Sequence, residues 1–355
     1  MALFSVPDIK ISGISACVPE DVYHNSEYDW VEEKERATLI RTIGVEQKRH
    51  ARKGTTTADL CYDAAEKLLE LLRWERKDIE LVIFVSQSRD YIIPATAGLL
   101  QDRLGLSHAT MAFDIGLGCS GYVYGLSVIG SLMSTGRINK ALLFTGDIST
   151  LNTSFRDKSA FPLFGDAGTA TALEYSPGAK PMVFNLQTDG SGYDAILIPD
   201  GGIRNFADKE TSFEYHKISE GIYRNGFNIA LDGIQVFNFS LREVKRNINL
   251  LMEFAGTSLD EVDYLVLHQA NKLMNETIRK QLKLSPVKVP LSLKEYGNTS
   301  SASIPLTMVT QIREVLEAGK SRLLLSGFGV GLSWGSVLLE TDHLLCPVIL
   351  VHPNP

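Results

Sequence analysis

Two regions of the chain repeat the same order of elements, and this repetition narrows the possible folds more than any other feature. Thr57 to Leu72 (TADLCYDAAEKLLELL) carries Leu60, Ala64, Leu68 and Leu71 at helical spacing, which predicts an amphipathic helix. The run ELVIFVS then reads as a buried strand ending near Ser86. Far downstream, Phe239 to Phe254 (FSLREVKRNINLLMEF) predicts a similar helix, and VDYLVLHQ a strand ending near His268. A strand within GRINKALLFTGD follows the first by about 60 residues, and one within GKSRLLLSGFG follows the second by about as many. Alternating helices and apolar strands mean a layered α/β architecture. The matched spacing splits it at Ser176 to Lys180 (SPGAK) into halves of residues 1–178 and 179–355. The Gly- and Asp-rich segment from Asp189 to Lys217 reads as a long surface excursion.

At 355 residues and 44% hydrophobic content the chain can bury a large core. Its formal net charge of -7 argues against nucleic acid or an anionic membrane as the main partner. Cys17, Cys61, Cys119 and Cys346 are scattered without CxxC or CxH spacing, so neither a disulfide framework nor a metal site is expected. The first residues, MALFSVPDIKISGISACVPE, have no basic-then-apolar leader pattern, and no run of about 18 apolar residues occurs. A cytoplasmic protein without a membrane span is expected.

One cysteine stands apart. In FDIGLGCSGYVYGL, residues 113–126, Cys119 lies between a strand-like run (TMAFDI) and a segment with helical spacing at Val123, Leu126, Ile129 and Met133. Gly116 and Gly118 would allow a sharp turn, so Cys119 is expected in a strand–turn–helix elbow. Free N–H groups and the positive end of a helix dipole favour a thiolate there, lowering an ordinary pKa of about 8.5 by roughly one unit or more. The alternative is a buried structural thiol, which is how Cys17, Cys61 and Cys346 read. LVLHQANKLMN places His268 at the C-terminal end of a strand, where ligand crevices open in α/β sheets, with polar Gln269 and Asn271 beside it. In YGNTSSASIPL, Asn298 sits in a hydroxyl-rich loop ahead of a helical segment, either as part of a site or as a helix cap.

Together these stretches resemble the thiolase superfamily, and most closely its β-ketoacyl-acyl-carrier-protein synthase III family. The likeness runs through CSGYVYGL around Cys119, LFGDAGTA at 163–170, HQAN at 268–271, GNTSSASIP at 297–305 and GFGVGLSWGS at 327–336. It implies two duplicated βαβαβαββ halves forming a five-layered αβαβα core, and a homodimer. It also implies that Cys119 takes an acyl group from a thioester, and that His268 and Asn298 donate hydrogen bonds to the thioester oxygen of malonyl-acyl carrier protein. Backbone N–H groups of Cys119 and of the Gly329–Val330 region would hold the acyl carbonyl. No permanently bound cofactor is implied; the substrates would be acyl-coenzyme A or an acyl-acyl carrier protein, with malonyl-acyl carrier protein. The chain departs from the family in ATLIRTIGVEQKRH, where RTI replaces RTG and the only nearby tryptophan, Trp30, lies well upstream.

Lys272, Arg279 and Lys283, with Lys280 beside them, fall within about 40° of one another if the helix after HQAN runs through all four. Such a stripe suits an acidic carrier protein, or is an ordinary solvated face. Lys48, Arg49, His50, Arg52 and Lys53 form a denser cluster that could meet nucleotide phosphates. The leading expectation is decarboxylative condensation to a 3-oxoacyl product. A second is transfer of the Cys-bound acyl group to an alcohol or amine, in secondary metabolism or surface-polysaccharide synthesis, with His268 as general base. The order Cys, His, Asn also occurs in papain-like hydrolases, whose cysteine signature is missing here. A catalytically silent binding subunit is the remaining alternative.

Overall fold

In the computed structural model, which describes residues 2–354, two β-sheets enclose a pair of helices. The first sheet has the strand order Leu350–His352, Ile9–Pro19, Ala167–Tyr175, Lys140–Asp147, Leu81–Val85, Met111–Ile115. The second has the order Ala2–Val6, Met182–Thr188, Ser333–Asp342, Lys320–Gly329, Tyr264–Leu267. Within each, a long antiparallel pair, Lys140–Asp147 with Ala167–Tyr175 and Lys320–Gly329 with Ser333–Asp342, is joined in parallel by the next strand, Leu81–Val85 in the first sheet and Tyr264–Leu267 in the second. The repeat read from the sequence is therefore a repeat of topology.

The layers follow from side-chain burial. Gly121–Met133 buries Tyr122, Val123, Leu126, Ile129 and Met133, and Ser303–Gln311 buries Ile304, Leu306, Met308 and Val309. Helices with apolar residues on several faces belong between sheets, and these contact Ile83 and Leu143 of one sheet and Leu323, Leu325 and Val337 of the other in a single core. Thr57–Leu72 and Gly233–Phe254 are amphipathic and cover the outer faces. Layer order is thus helix, sheet, helix, sheet, helix. On Thr57–Leu72 the buried stripe runs Leu60, Ala64, Leu68, while Leu71 is exposed and Leu69 takes its place.

Two features depart from a plain duplication. The second sheet has no counterpart to Met111–Ile115 among the described residues. The chain there, LKLSPVKVPLSLKEYGN, passes through Pro286 and Pro290, which have no N–H for a ladder, and forms only short helical turns. The strands nearest the chain ends also cross the 178/179 division: Ala2–Val6 pairs with Met182–Thr188, and Leu350–His352 with Ile9–Pro19. The Asp189–Lys217 excursion is largely exposed from Asp200 onward. Among the described residues no helix is long and apolar enough to cross a membrane.

What matters for the site is where the strands end. The Tyr264–Leu267, Lys140–Asp147 and Lys320–Gly329 strands finish at His268, Asp147 and Gly329, and Met111–Ile115 leads into Cys119. All four residues lie at carboxyl ends of strands, where α/β sheets bind ligands.

Candidate active site

Cys119 leaves its strand through Gly116–Gly118 and stands just ahead of Gly121–Met133, whose N-cap is Ser120. Neither Gly116 nor Gly118 has a positive φ, so the turn does not use glycine in the way expected from sequence. Gly118 is needed for room: a Cβ there would run into Gln87 Oε1 and lie 3.0 Å from Ser300 Oγ. Across from it, Gly329 has φ +155°, and a Cβ would lie 2.6 Å from Cys119 Cβ and 2.8 Å from Sγ. Only a residue without a side chain lets this strand end reach the sulfur.

The Val330 backbone, the Ser300 side chain and the backbone of Cys119 itself favour a thiolate. Burial outweighs them and the nearby Asp147 charge adds to it, so the thiol is pushed up to about 11. This reverses the expectation of an acidified thiol. A helix end contributes typically about 0.3–1 kcal/mol, less than one pKa unit, and water removal at a residue only 8% exposed is the larger effect.

His268 is 1% exposed, and burial holds its imidazole down to about 3, opposed by a backbone hydrogen bond at Ser300. It is neutral at physiological pH, with one ring nitrogen donating and one accepting. Nδ1 lies 2.7 Å from Ser303 Oγ, and the ring meets Phe328 edge-on at 5.5 Å. The polar neighbours are satisfied locally. Gln269 donates to the Leu267 carbonyl and accepts the Ser292 N–H, and Asn271 caps the Lys272–Gln281 helix through the Met274 N–H.

Asn298 is 5% exposed and is held from the first half of the chain. Its N–H donates to Leu163 O at 2.9 Å, and its carbonyl accepts the Gly165 N–H at 3.0 Å. This explains the LFGDAGTA motif: Leu163 and Gly165 fix the Asn298 backbone, and a Cβ at Gly165 would strike the Tyr296 carbonyl. The side-chain carbonyl accepts the Ser300 N–H at 2.9 Å, while Nδ2 makes only a long contact of 3.5 Å to Ala270 O. Asn298 thus bonds the backbone two residues on, is not the N-cap of either following helix, and keeps donor capacity in Nδ2.

Cys119, His268 and Asn298 all line one cavity of about 430 Å³, together with Ser300, Gly329 and Val330. Its apolar wall includes Ile148, Phe164, Ile196, Leu231, Val236 and Phe328. Among the described residues no cluster of His, Cys, Asp and Glu has the geometry of a metal site.

The basic residues divide. Lys272 and Lys280 are exposed on Lys272–Gln281, but Arg279 is committed to Glu276 at 2.7 Å and to the Leu284 carbonyl at 2.6 Å. Lys283 lies beyond the helix end with φ +58°, so it does not continue the stripe. Most of the 48–53 cluster is engaged within the chain: Lys48 is fully buried against Phe161, Arg49 binds the Pro19 and Glu20 carbonyls, His50 stacks on Tyr23 and Arg52 pairs with Asp21 at 2.6 Å, while Lys53 is exposed. Asp147, Ser300 and Ser303 were not singled out by sequence. The signal available was the position of Asp147 at a strand's carboxyl end and the run of hydroxyls after Asn298.

Two sheet-and-helix halves meeting at a buried cysteine, with an imidazole and a carboxamide supplied by the other half, define a thiolase-like condensing fold. Sequence comparison then narrows the class. Residues 113–190 match the family described as 3-oxoacyl-[acyl-carrier-protein (ACP)] synthase III, and residues 252–341 its C-terminal region. The β-ketoacyl-[acyl-carrier-protein] synthase III of Clostridioides difficile is 31% identical over 93% of this chain and 97% of its own length. That of Chlamydia caviae is 32% identical over 96% of this chain and 99% of its own. The crystal structure of a 3-oxoacyl-(acyl-carrier protein) synthase from Burkholderia xenovorans superposes with a TM-score of 0.92 at 34% identity, covering 99% of both chains. The chain belongs to the 3-oxoacyl-[acyl-carrier-protein] synthase III family of acyltransferases.

Proposed function

We propose that the protein joins an acyl group to a malonyl unit carried on acyl carrier protein, releasing carbon dioxide and a 3-oxoacyl-acyl carrier protein. The observation that carries this is the convergence of Cys119, His268 and Asn298 on one cavity that Gly329 and Val330 also line. In the first half-reaction Sγ attacks the acyl thioester; the new S–C bond forms, the donor's C–S bond breaks, and the thiol proton leaves with the donor thiol. The N–H groups of Cys119 and Val330 would hold the acyl carbonyl oxygen as it gains charge.

In the second half-reaction the malonyl carboxylate leaves as carbon dioxide and its electrons pass to the thioester oxygen. The resulting carbon attacks the acyl carbonyl, and the bond to Cys119 Sγ breaks. Neutral donors suit that oxygen. Ser303 Oγ lies 2.7 Å from His268 Nδ1, and in the tautomer where that hydroxyl donates, the ring proton sits on Nε2 and faces the oxygen. With the free Asn298 N–H this makes a pair of donors worth about 3 kcal/mol each. The cavity's aliphatic and aromatic wall favours an apolar acyl chain.

The deciding experiment supplies acyl-coenzyme A and acyl-acyl carrier protein in turn, with malonyl-acyl carrier protein, and follows products by mass spectrometry. A 3-oxoacyl product with one carbon dioxide per turnover is expected. Acyl transfer to an added alcohol or amine without carbon dioxide release would favour the simple acyltransferase instead.

The acidic carrier protein would dock on the exposed cations beside the cavity, Lys272 and Lys280; Arg279 and Lys283 contribute less, given their positions. Lys272→Glu with Lys280→Glu is expected to raise the Michaelis constant for carrier protein about tenfold and flatten its salt dependence, with acyl-coenzyme A loading unchanged. Steady-state kinetics at two ionic strengths checks this. A homodimer fits the loop bearing Tyr91, Ile92 and Ile93, which are 60%, 73% and 83% exposed and form the kind of apolar surface a second copy covers. The site of action would be the cytoplasm.

A further inference from the structure

Ser300 has φ +51°, a conformation that side-chain-bearing residues adopt only when their surroundings impose it. The imposing contacts are specific. Asn298 Oδ1 accepts its N–H at 2.9 Å, and the adjoining Ser301 donates to Asp147 Oδ2 from its N–H at 3.4 Å and its hydroxyl at 3.0 Å. The other carboxylate oxygen accepts the Gln87 N–H at 2.7 Å and the Ser86 hydroxyl at 3.0 Å. Asp147 is 2% exposed, and these partners come from both halves of the chain.

Ser300 lines the same cavity as Cys119, and Ser303, three residues on, stands 2.7 Å from His268 Nδ1. The segment 298–303 therefore carries Asn298, reaches the His268 ring through Ser303 and lines the cavity that Cys119 enters. A single buried carboxylate ties that turn to the half that carries the cysteine.

We propose that Asp147 is a positioning residue, which locks the Ser300 turn and so fixes Cys119, His268 and Asn298 relative to one another. The proposal rests on reading Cys119 as the nucleophile. The Asp147 charge has a second effect: it opposes a further negative charge on the sulfur and keeps the resting thiol protonated. The remaining titratable side chains lining the cavity are His268, which is neutral, and Tyr193. An asparagine at 147 has nearly the same shape but only one acceptor oxygen. It must leave the N–H of either Gln87 or Ser301 without a partner, releasing one side of the tie.

The test uses the full-length Asp147→Asn and Ser300→Ala variants. Iodoacetamide labelling is mapped by peptide mass spectrometry between pH 7 and 10, alongside acyl loading from a thioester. In Asp147→Asn, labelling of Cys119 at pH 8 should rise at least about threefold as its profile moves to lower pH. Acyl loading should fall at least about tenfold, because a reacting group misplaced by a fraction of an ångström loses its near-attack geometry. Cys17, Cys61 and Cys346, all buried and free, serve as the fold control and should stay unlabelled. Ser300→Ala should lose loading about fivefold or more with the same control intact.

Labelling profiles and loading rates within twofold of the parent in both variants would overturn the proposal. If Asp147→Asn exposes the other cysteines, Ser300→Ala decides alone, and parent-like loading in it is equally fatal. Labelling needs no thioester, so a parent protein that fails to load any acyl donor would count against the proposed function while the labelling shift still judges Asp147.

Discussion

Cys119→Ala is expected to lose acyl loading altogether, a fall of at least about 10³-fold, while still releasing carbon dioxide from malonyl-acyl carrier protein. On the proposed mechanism the two half-reactions draw on different groups: the sulfur would carry the acyl unit, and His268 and Asn298 would meet the developing enolate oxygen. Removing the sulfur takes away a bond-forming atom and leaves those donors in place. Alanine also avoids crowding, since Gly329 already reaches to within van der Waals contact of the cysteine side chain and a smaller residue relaxes that approach. Intact-protein mass spectrometry after incubation with an acyl thioester reads the first half-reaction, and carbon dioxide release reads the second. An acyl adduct on the alanine variant would place the nucleophile elsewhere.

His268→Ala and Asn298→Ala are expected to show the mirror image. Each should slow carbon dioxide release about 10²–10³-fold, corresponding to roughly 2.7–4 kcal/mol of lost stabilisation at the charged oxygen. Acyl loading should change far less, because on the proposed mechanism backbone N–H groups hold its oxyanion. The two losses should not add fully in the double variant, since the donors act on the same oxygen. Equal damage to loading and to carbon dioxide release in the single variants would mean that these residues serve both steps.

Reading the sequence alone reached the duplicated sheet order and the residues on which the cavity closes, because both leave periodic or punctuated signals. Strands such as LVIFV and LLLSGFG are apolar runs of strand length, and Cys119, His268 and Asn298 stand out against their neighbours. The ionisation of Cys119 was misjudged for a physical reason. Helix-end position can be inferred from local sequence, but burial depends on Gly329 and Phe328 arriving from more than two hundred residues away. Similarly, Arg279 and Lys283 looked like members of one stripe until the helix proved to end at Gln281 and Glu276 claimed the guanidinium. The strand-end position of Asp147 in TGDIST is a weak signal by itself; its meaning comes from Ser86, Gln87 and Ser301, which only the fold brings to it.

The exchanged edge strands bear on how the protein is made. Ala2–Val6 hydrogen-bonds Met182–Thr188, a partner synthesised about 180 residues later, and Leu350–His352 returns to Ile9–Pro19 at the opposite extreme of the chain. During translation the Ala2–Val6 segment must wait, unpaired, until the partner about 180 residues downstream has emerged, and such distant pairing slows folding. A protease cut at the junction would leave two fragments clasped together by each other's ends, and neither half made alone would carry its complete sheet.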